Sequence, residues 1–389
     1  MVAEAAKPGA HESRCPPYRA AGVGGTGTGM AALMLRWCAR GTMPSLVFVR
    51  RFSFVIMSAG LATGLSLSGF TQAAAGSSAV SVRAVPGTAA LLSGLACVNT
   101  RQCIGVGYSA GGGAVVRISA GIPSAALDVG RRGDTLAAAS CSSAGSCEAV
   151  GEAHSEGGVV VADTGGTPGG VHRLSGDVSA LDGVACPDGA HCVAVGANEG
   201  LVVAITRGAP TSVLAAAKVG LFNGIACIST SVCEGVGTTP SRGFAVRIVN
   251  GMPTSREPAA PDSMDPVSIA CPGDDGGKCV VVGGYFIPHP HQGTVDTLGS
   301  HGFGPVHNVA GAAFLSSVSC PTSGTCFALG NTASTPEQGL LVQIVNGVPQ
   351  PPRELPDVFT TIVCPNTRVC YAVGSDPNPP TTDSSRPFV

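Results

Sequence analysis

The sequence predicts an all-β fold: a seven-bladed β-propeller of four-stranded blades, one disulfide in each, the ring closed by strands from the two chain ends. Three observations predict it: a recurring cysteine-pair motif, a period in the forties, and a strand-and-turn pattern with no helical spacing. The motif first appears as Cys97-x5-Cys103-Ile104-Gly105-Val106-Gly107 and returns six more times, at Cys141/Cys147, Cys186/Cys192, Cys227/Cys233, Cys271/Cys279, Cys320/Cys326 and Cys364/Cys370. First cysteines are separated by 44, 45, 41, 44, 49 and 44 residues. A fixed period of that size marks a blade built from four short strands.

Within each repeat the elements follow in order. The first strand ends in a branched residue, a small residue and cysteine, as in Gly94-Leu95-Ala96-Cys97, Gly183-Val184-Ala185-Cys186 and Ser268-Ile269-Ala270-Cys271. A polar turn follows, such as Pro187-Asp188-Gly189. In the second strand, alternation puts Cys, a small residue and Gly on one face, where they are expected to let neighbouring blades pack closely. The third strand is an apolar run at 114–118, 159–161, 201–205, 244–248 and 340–344. Asn250-Gly251 and Asn346-Gly347 are the strongest signals for the tight turn into the fourth strand. A Gly-x-Pro then opens that strand at Pro123, Pro168, Pro210, Pro253 and Pro349, with Gly302-Phe303-Gly304-Pro305 as the departure. Proline suits an outer edge, where no ladder donor is missed. The last repeat stops at Gly374 after its second strand, and residues 79–86 are expected to supply the missing third-to-fourth hairpin of the seventh blade.

Outside the repeats, residues 1–42 are rich in Gly and Ala and show no hydrophobic period. They precede a segment, 43–75, that reads as a signal peptide: Arg50-Arg51, an apolar run over 52–70, then Ala73-Ala74-Ala75. Met43 is therefore the expected start, with cleavage expected near Ala75 and a retained membrane anchor as the alternative. The propeller is assigned to 76–374, and the Pro/Ser/Thr-rich 375–389 to a disordered tail.

Of the 16 cysteines, only Cys15 and Cys38 fall outside the pairs. Zinc sites favour closer spacing with a second pair or histidines at hand, and no repeat carries its own histidine at a fixed offset. In an exported chain the pairs are expected to be disulfides, each contributing roughly 2 kcal/mol by closing a loop of about seven residues. A net charge of −2 with 12% charged residues leaves no footprint for nucleic acid or an anionic membrane surface. The Cys-x5-Cys-x-Ala-Val-Gly blade resembles the cysteine-paired repeats of secreted bacterial β-propellers over about residues 77–374. The resemblance implies architecture and no activity.

Candidate site residues lie in the loops expected on the variable rim. In the fifth blade, Tyr285 and Phe286 offer an apolar platform, followed by His289 and His291, with His301 and His307 further on. A His-x-His element suits metal binding or acid–base work, with a third ligand to come from Glu152, His154, Glu156 or Glu199. Arg131, Arg132 and Asp134, and likewise Arg256, Glu257, Asp262 and Asp265, sit where they could grip a polar ligand. Asp274-Asp275-Gly276 reads as an ordinary turn rather than a calcium loop. No nucleophile elbow or phosphate loop is present, and the only tryptophan, Trp37, precedes the repeats, which weakens a sugar-binding reading. The sequence thus supports a secreted or cell-surface, monomeric, non-catalytic module for a protein or small-molecule ligand, with no cofactor called for. The alternative is an extracellular lyase or hydrolase using His154, His289 or His291 with carboxylates and a metal.

Overall fold

The computed structural model describes residues 80–388, apart from 87–88, 144–145, 155–156, 165–166, 175–177, 179, 197–199, 217–219, 241, 259–263, 273–277, 286–290, 335–336 and 376–386. The strands fall into antiparallel sheets, six of which are blades of the predicted kind, running in chain order from an inner strand to an outer one. The first comprises Ala89–Asn99, Gln102–Ser109 and Gly113–Ser119, with an outer edge split into Ile122–Pro123 and Leu127–Val129. The third comprises Gly183–Ala185, His191–Gly196, Leu201–Thr206 and Ala209–Ala215.

The expectation of seven four-stranded blades is corrected to six. The sheet formed by the last repeat has three strands, Phe359–Asn366, Val369–Ser375 and Pro387–Phe388. Residues 80–86 are not laid out as a hairpin: they hold a single bridge residue, Ala84. Nothing like Asn250-Gly251 divides that segment, so it has no turn on which to fold back. Part of the tail expected to be disordered supplies the third strand instead, Phe388 pairing with Gly374 and Pro387 with Ser375.

All seven cysteine pairs are disulfides, but they do not sit in the ladder alike. Cys97–Cys103, Cys141–Cys147 and Cys227–Cys233 stand directly across from each other, so each bridge clamps the hairpin between first and second strands. Cys186–Cys192 and Cys271–Cys279 lie one position beyond the last paired residues of their hairpins, Ala185 with Val193 and Ala270 with Val280. Cys320–Cys326 and Cys364–Cys370 fall where the register slips, between Ser319 and Thr322 and between Val363 and Asn366. The bridge holds each of these four pairs at a Cα separation of 4.0 or 4.1 Å, even though the ladder does not join them. Burial separates the last pair from the rest. Cys103, Cys147, Cys192, Cys233, Cys279 and Cys326 are all buried, whereas Cys370 is exposed. A third strand lies alongside the second cysteine in the blades, Ile118 opposite Cys103 and Ile344 opposite Cys326; in the last sheet the third strand reaches only Gly374 and Ser375.

The core lies between sheets. Ile104 and Val106 of the first blade pack on Cys147 and Ala149 of the second. Val193 and Val195 of the third pack on Phe222 and Cys233 of the fourth. Between the last sheet and the first, Val373 meets Leu92, Cys103 and Val116, with Val85 buried among them at 3% exposure.

The glycine that closes each second strand has a different role from the one its pattern suggests. A Cβ on Gly107, Gly151 or Gly237 would run into the main-chain oxygen of Leu91, Thr135 or Leu221, in the inner strand of its own blade. It serves the packing of a blade on itself rather than of blade on blade. The cause is an irregularity of the inner strand, which also shapes the centre of the molecule.

Candidate functional site at the centre of the blades

Six of the seven inner strands skip one residue against their neighbours; the short inner strand of the third blade, Gly183–Ala185, pairs without a skip. The register shifts lie between Leu92 and Gly94, Leu136 and Ala138, Phe222 and Gly224, Pro266 and Ser268, Leu315 and Ser317, and Phe359 and Thr361. Such a bulge adds an unpaired residue and re-aims the chain. Each skipped residue stands four before the first cysteine of its pair, and in the third blade the residue at the same position is Asp182. Ser93, Ala137, Asp182, Asn223, Val267 and Ser316 occupy it in the six blades, and all of them line one cavity of about 260 Å³. Thr361 of the three-stranded sheet lines it too.

The next residue along is small, and Gly94 shows why: a Cβ there would meet the Ala137 oxygen and the Ala138 Cα at 2.8 Å. Neighbouring inner strands are therefore close enough for side chains to satisfy each other's main chain. Asn223 Nδ2 donates to Pro266 O (2.8 Å), Ser317 Oγ accepts from Ile362 N (3.1 Å), and Ser319 Oγ accepts from Cys364 N (2.9 Å). The same contact joins the last sheet to the first, where Thr361 Oγ1 donates to Ser93 O at 2.6 Å.

The cavity is smaller than the roughly 300–1,000 Å³ of usual small-molecule pockets. Its hydroxyls, one amide and one carboxylate suit waters or a single polar side chain more than a cofactor. The carboxyls with the most altered acidity lie elsewhere. Asp296, fully buried on the third strand of the fifth blade, is raised to about 7 by burial, only partly offset by hydrogen bonds from Thr297 N and Gly304 N. Burial raises Glu148 to about 7, with the charge of Asp163 adding to it, and raises Asp265 to about 6. None of these three lines the cavity.

The predicted rim residues are only partly brought together. Arg131 and His154 meet around Asp134: their main-chain N–H groups donate to its carboxylate at 2.7 and 3.2 Å, and Arg173 Nη2 donates at 2.5 Å. Burial alone would raise the Asp134 carboxyl, but these hydrogen bonds and the Arg173 charge outweigh it and hold it below its ordinary value. This carboxylate ties a connection between blades to a loop of the second blade. The side chains of Arg131, Arg132, Glu152 and His154 are exposed around it. Tyr285 is half-buried and donates through its hydroxyl to Asn308 Oδ1 (3.1 Å), while His291 and His301 are exposed. Phe286, His289, Glu156, Glu199, Asp262, Asp274 and Asp275 lie outside the described residues, as do the side chains of Arg256 and Glu257. The paired cysteines, Cys192, Cys279, Cys326 and Cys370 among them, are spent on their bridges and offer no thiolate to a metal or a substrate. Among the described residues, no three His, Cys, Asp or Glu side chains converge as a metal site would require. The row of bulge residues was missed by reading the loops, although its fixed offset from each cysteine was in plain view.

Among known proteins, no family model and no curated sequence matches the chain. Solved structures do. The WD40 repeats of RRP9 superpose with a TM-score of 0.55 at 11% identity, over 79% of this chain and 96% of that one. The WD40 β-propeller domain of Doa1 gives 0.54 at 13%, over 79% and 95%. YCF48 bound to D1 peptide gives 0.53 at 12%, again over 79% and 95%. The fold is a β-propeller. At these identities the likeness carries the fold and nothing further.

Proposed function

We propose that this propeller is an exported, non-catalytic module that binds a protein or peptide partner. The observation that carries the reading is the clamped scaffold, with a disulfide in every sheet and hydrogen bonds between successive inner strands. Such a scaffold holds its loops and edges as fixed surfaces, which lowers the entropy lost on binding. A structural neighbour with the same fold, YCF48, is bound to a peptide. Export accords with the disulfides, since cytosolic thiol pools keep such pairs reduced, and with the signal-like segment at 43–75.

The six blades are read as a ring closed through the three-stranded sheet, which would stand between the sixth blade and the first. Thr361 donating to Ser93 O, Tyr371 OH donating to Thr100 O (2.8 Å) and Val85 packing against Val373 support that seam. The kinship with cysteine-paired secreted bacterial propellers is proposed on the same blade motif.

The test is selection of unstructured peptides from a display library on the oxidised full chain. Enrichment of a sequence class binding with a Kd of about a micromolar, the range for extended-peptide recognition, is expected. Failure to enrich any peptide, with turnover of ester or glycoside substrates by the same preparation, would overturn the reading in favour of an enzyme.

A further inference from the structure

The outer strand of a blade leaves a row of main-chain donors and acceptors unpaired, a template for any extended chain unless something guards it. Five of the six four-stranded blades are guarded. The first, fifth and sixth have outer edges broken into a two-residue and a three-residue piece. The second, Thr167–Arg173, carries Gly169-Gly170 and ends in His172-Arg173. The fourth, Met252–Pro258, ends in Arg256-Glu257-Pro258.

The third has none of these devices. Ala209–Ala215 is a single seven-residue strand with the sequence Ala-Pro-Thr-Ser-Val-Leu-Ala, uncharged, its only proline in the second place and its one bulge at Thr211 of a kind the second and fourth edges share. On the inner side it pairs with Leu201–Thr206, Val203 opposite Val213 and Val202 opposite Leu214. On the outer side no described strand pairs with it. Every residue from Thr211 to Ala215 is exposed, and Val213 and Leu214, which point to opposite faces, are 43% and 36% exposed.

We propose that residues 211–215 are a strand-addition site that takes an extended, uncharged peptide segment as the next antiparallel strand of the third blade. The assignment rests on the peptide-binding reading above and gives it a place. Main-chain hydrogen bonds supply affinity in this mode, and alternate side chains supply selectivity. The segment is uncharged because the edge offers no counter-charge, and a lysine or glutamate laid across it would lose water without gaining a partner. It lacks proline, which would remove a ladder donor. A flexible peptide fits better than a second copy of the chain, because five edge residues fall well short of the roughly 1,200 Å² that a stable interface buries.

The test takes the peptides selected on the oxidised full chain and follows amide exchange with and without them, beside a Val213→Lys variant. The fourth edge already carries a charged residue at the matching position, Arg256 across from Val246, so the fold is expected to survive, as an unchanged unfolding midpoint would show. Slowed exchange confined to 211–215 and an affinity loss of about ten-fold or more in the variant are expected. Peptides that bind without protecting those amides, or that bind Val213→Lys equally well, overturn the edge assignment and leave the peptide-binding reading standing. No enriched peptide overturns both. Self-association in sedimentation that Val213→Lys abolishes would make the occupant a second copy and overturn the peptide.

Discussion

Ala120 occupies a position whose backbone suits asparagine or glycine. Its φ is 51°, the same as Arg207, Asn250 and Asn346, and each is followed by a glycine at φ between 75° and 82°. Two successive positive φ angles make the mirror-image turn that matches the twist of a hairpin. Asn250-Gly251 and Asn346-Gly347 announced that turn in the sequence; Ala120-Gly121 and Arg207-Gly208 did not, because only the second residue carried a signal. An L-residue with no side-chain hydrogen bond is strained by roughly 1–2 kcal/mol in that region. Ala120→Asn is therefore expected to stabilise the protein by about 1 kcal/mol in urea unfolding, with the slope unchanged. Asp296 supports a second expectation, of opposite kind. Its native pKa, about 7, lies above the ordinary 3.8, so the folded state holds the proton more tightly than the unfolded one. The stability it contributes is complete below the lower value and is lost as pH rises through the upper one, by at most about 4 kcal/mol. Asp296→Asn should flatten that decline and raise the melting temperature above neutrality while changing little in acid. A variant that melts in parallel with the parent across this range would show that the carboxyl is not the cause.

At the scale of the element, the hairpin between first and second strands is the unit the sequence displays most openly. Cysteine, small residue and glycine recur at fixed offsets, and these located the strands and the disulfides correctly. What stayed hidden was the bulge. A skipped residue leaves no compositional mark, since Ser93, Ala137, Asn223 and Val267 share neither size nor polarity; only their common distance from a cysteine exposes them. The glycine that accommodates the bulge was visible, but its purpose was misread for the same reason. Cys227 and Cys233, in register across their hairpin, provide the test of what one clamp contributes. Replacing both with serine is expected to cost about 2 kcal/mol by denaturant titration under oxidising conditions. The ion pair beside them, a buried Glu234 with a part-exposed Arg247, sharpens the comparison. Glu234 of the same hairpin accepts from Arg247 Nη1 at 2.9 Å, whereas Glu148, its counterpart in the second blade, stands across from Ala162 and leaves Oε2 buried without a partner. Ala162→Arg is accordingly expected to return the Glu148 carboxyl to the ordinary range, seen as the loss of a titration near pH 7 in carboxyl NMR or infrared spectra.

Across the whole molecule, the repeat count pointed to a propeller but overstated its four-stranded blades by one, because it could not show that the last sheet has three strands. The sequence shows a seventh cysteine pair as clearly as the first, yet the partner strands of that pair carry no motif, and Pro387-Phe388 could not have been distinguished from tail. Between the last and first sheets Val373 packs against Leu92, Cys103 and Val116, and the behaviour of the domain should depend on that seam. Thr361 donates to Ser93 O across it, and Tyr371 donates to Thr100 O. Thr361→Val and Tyr371→Phe each remove one donor with little change of shape, at a cost of about 1 kcal/mol apiece. If the sheets support one another around a closed ring, that loss is shared by all of them, because no sheet buries both faces unless both neighbours are in place. Amide protection in the third blade, far along the chain from either substitution, should then fall as much as protection in the first. Loss confined to the first and last sheets would instead describe an open stack with a frayed end, and ring closure would have to be given up.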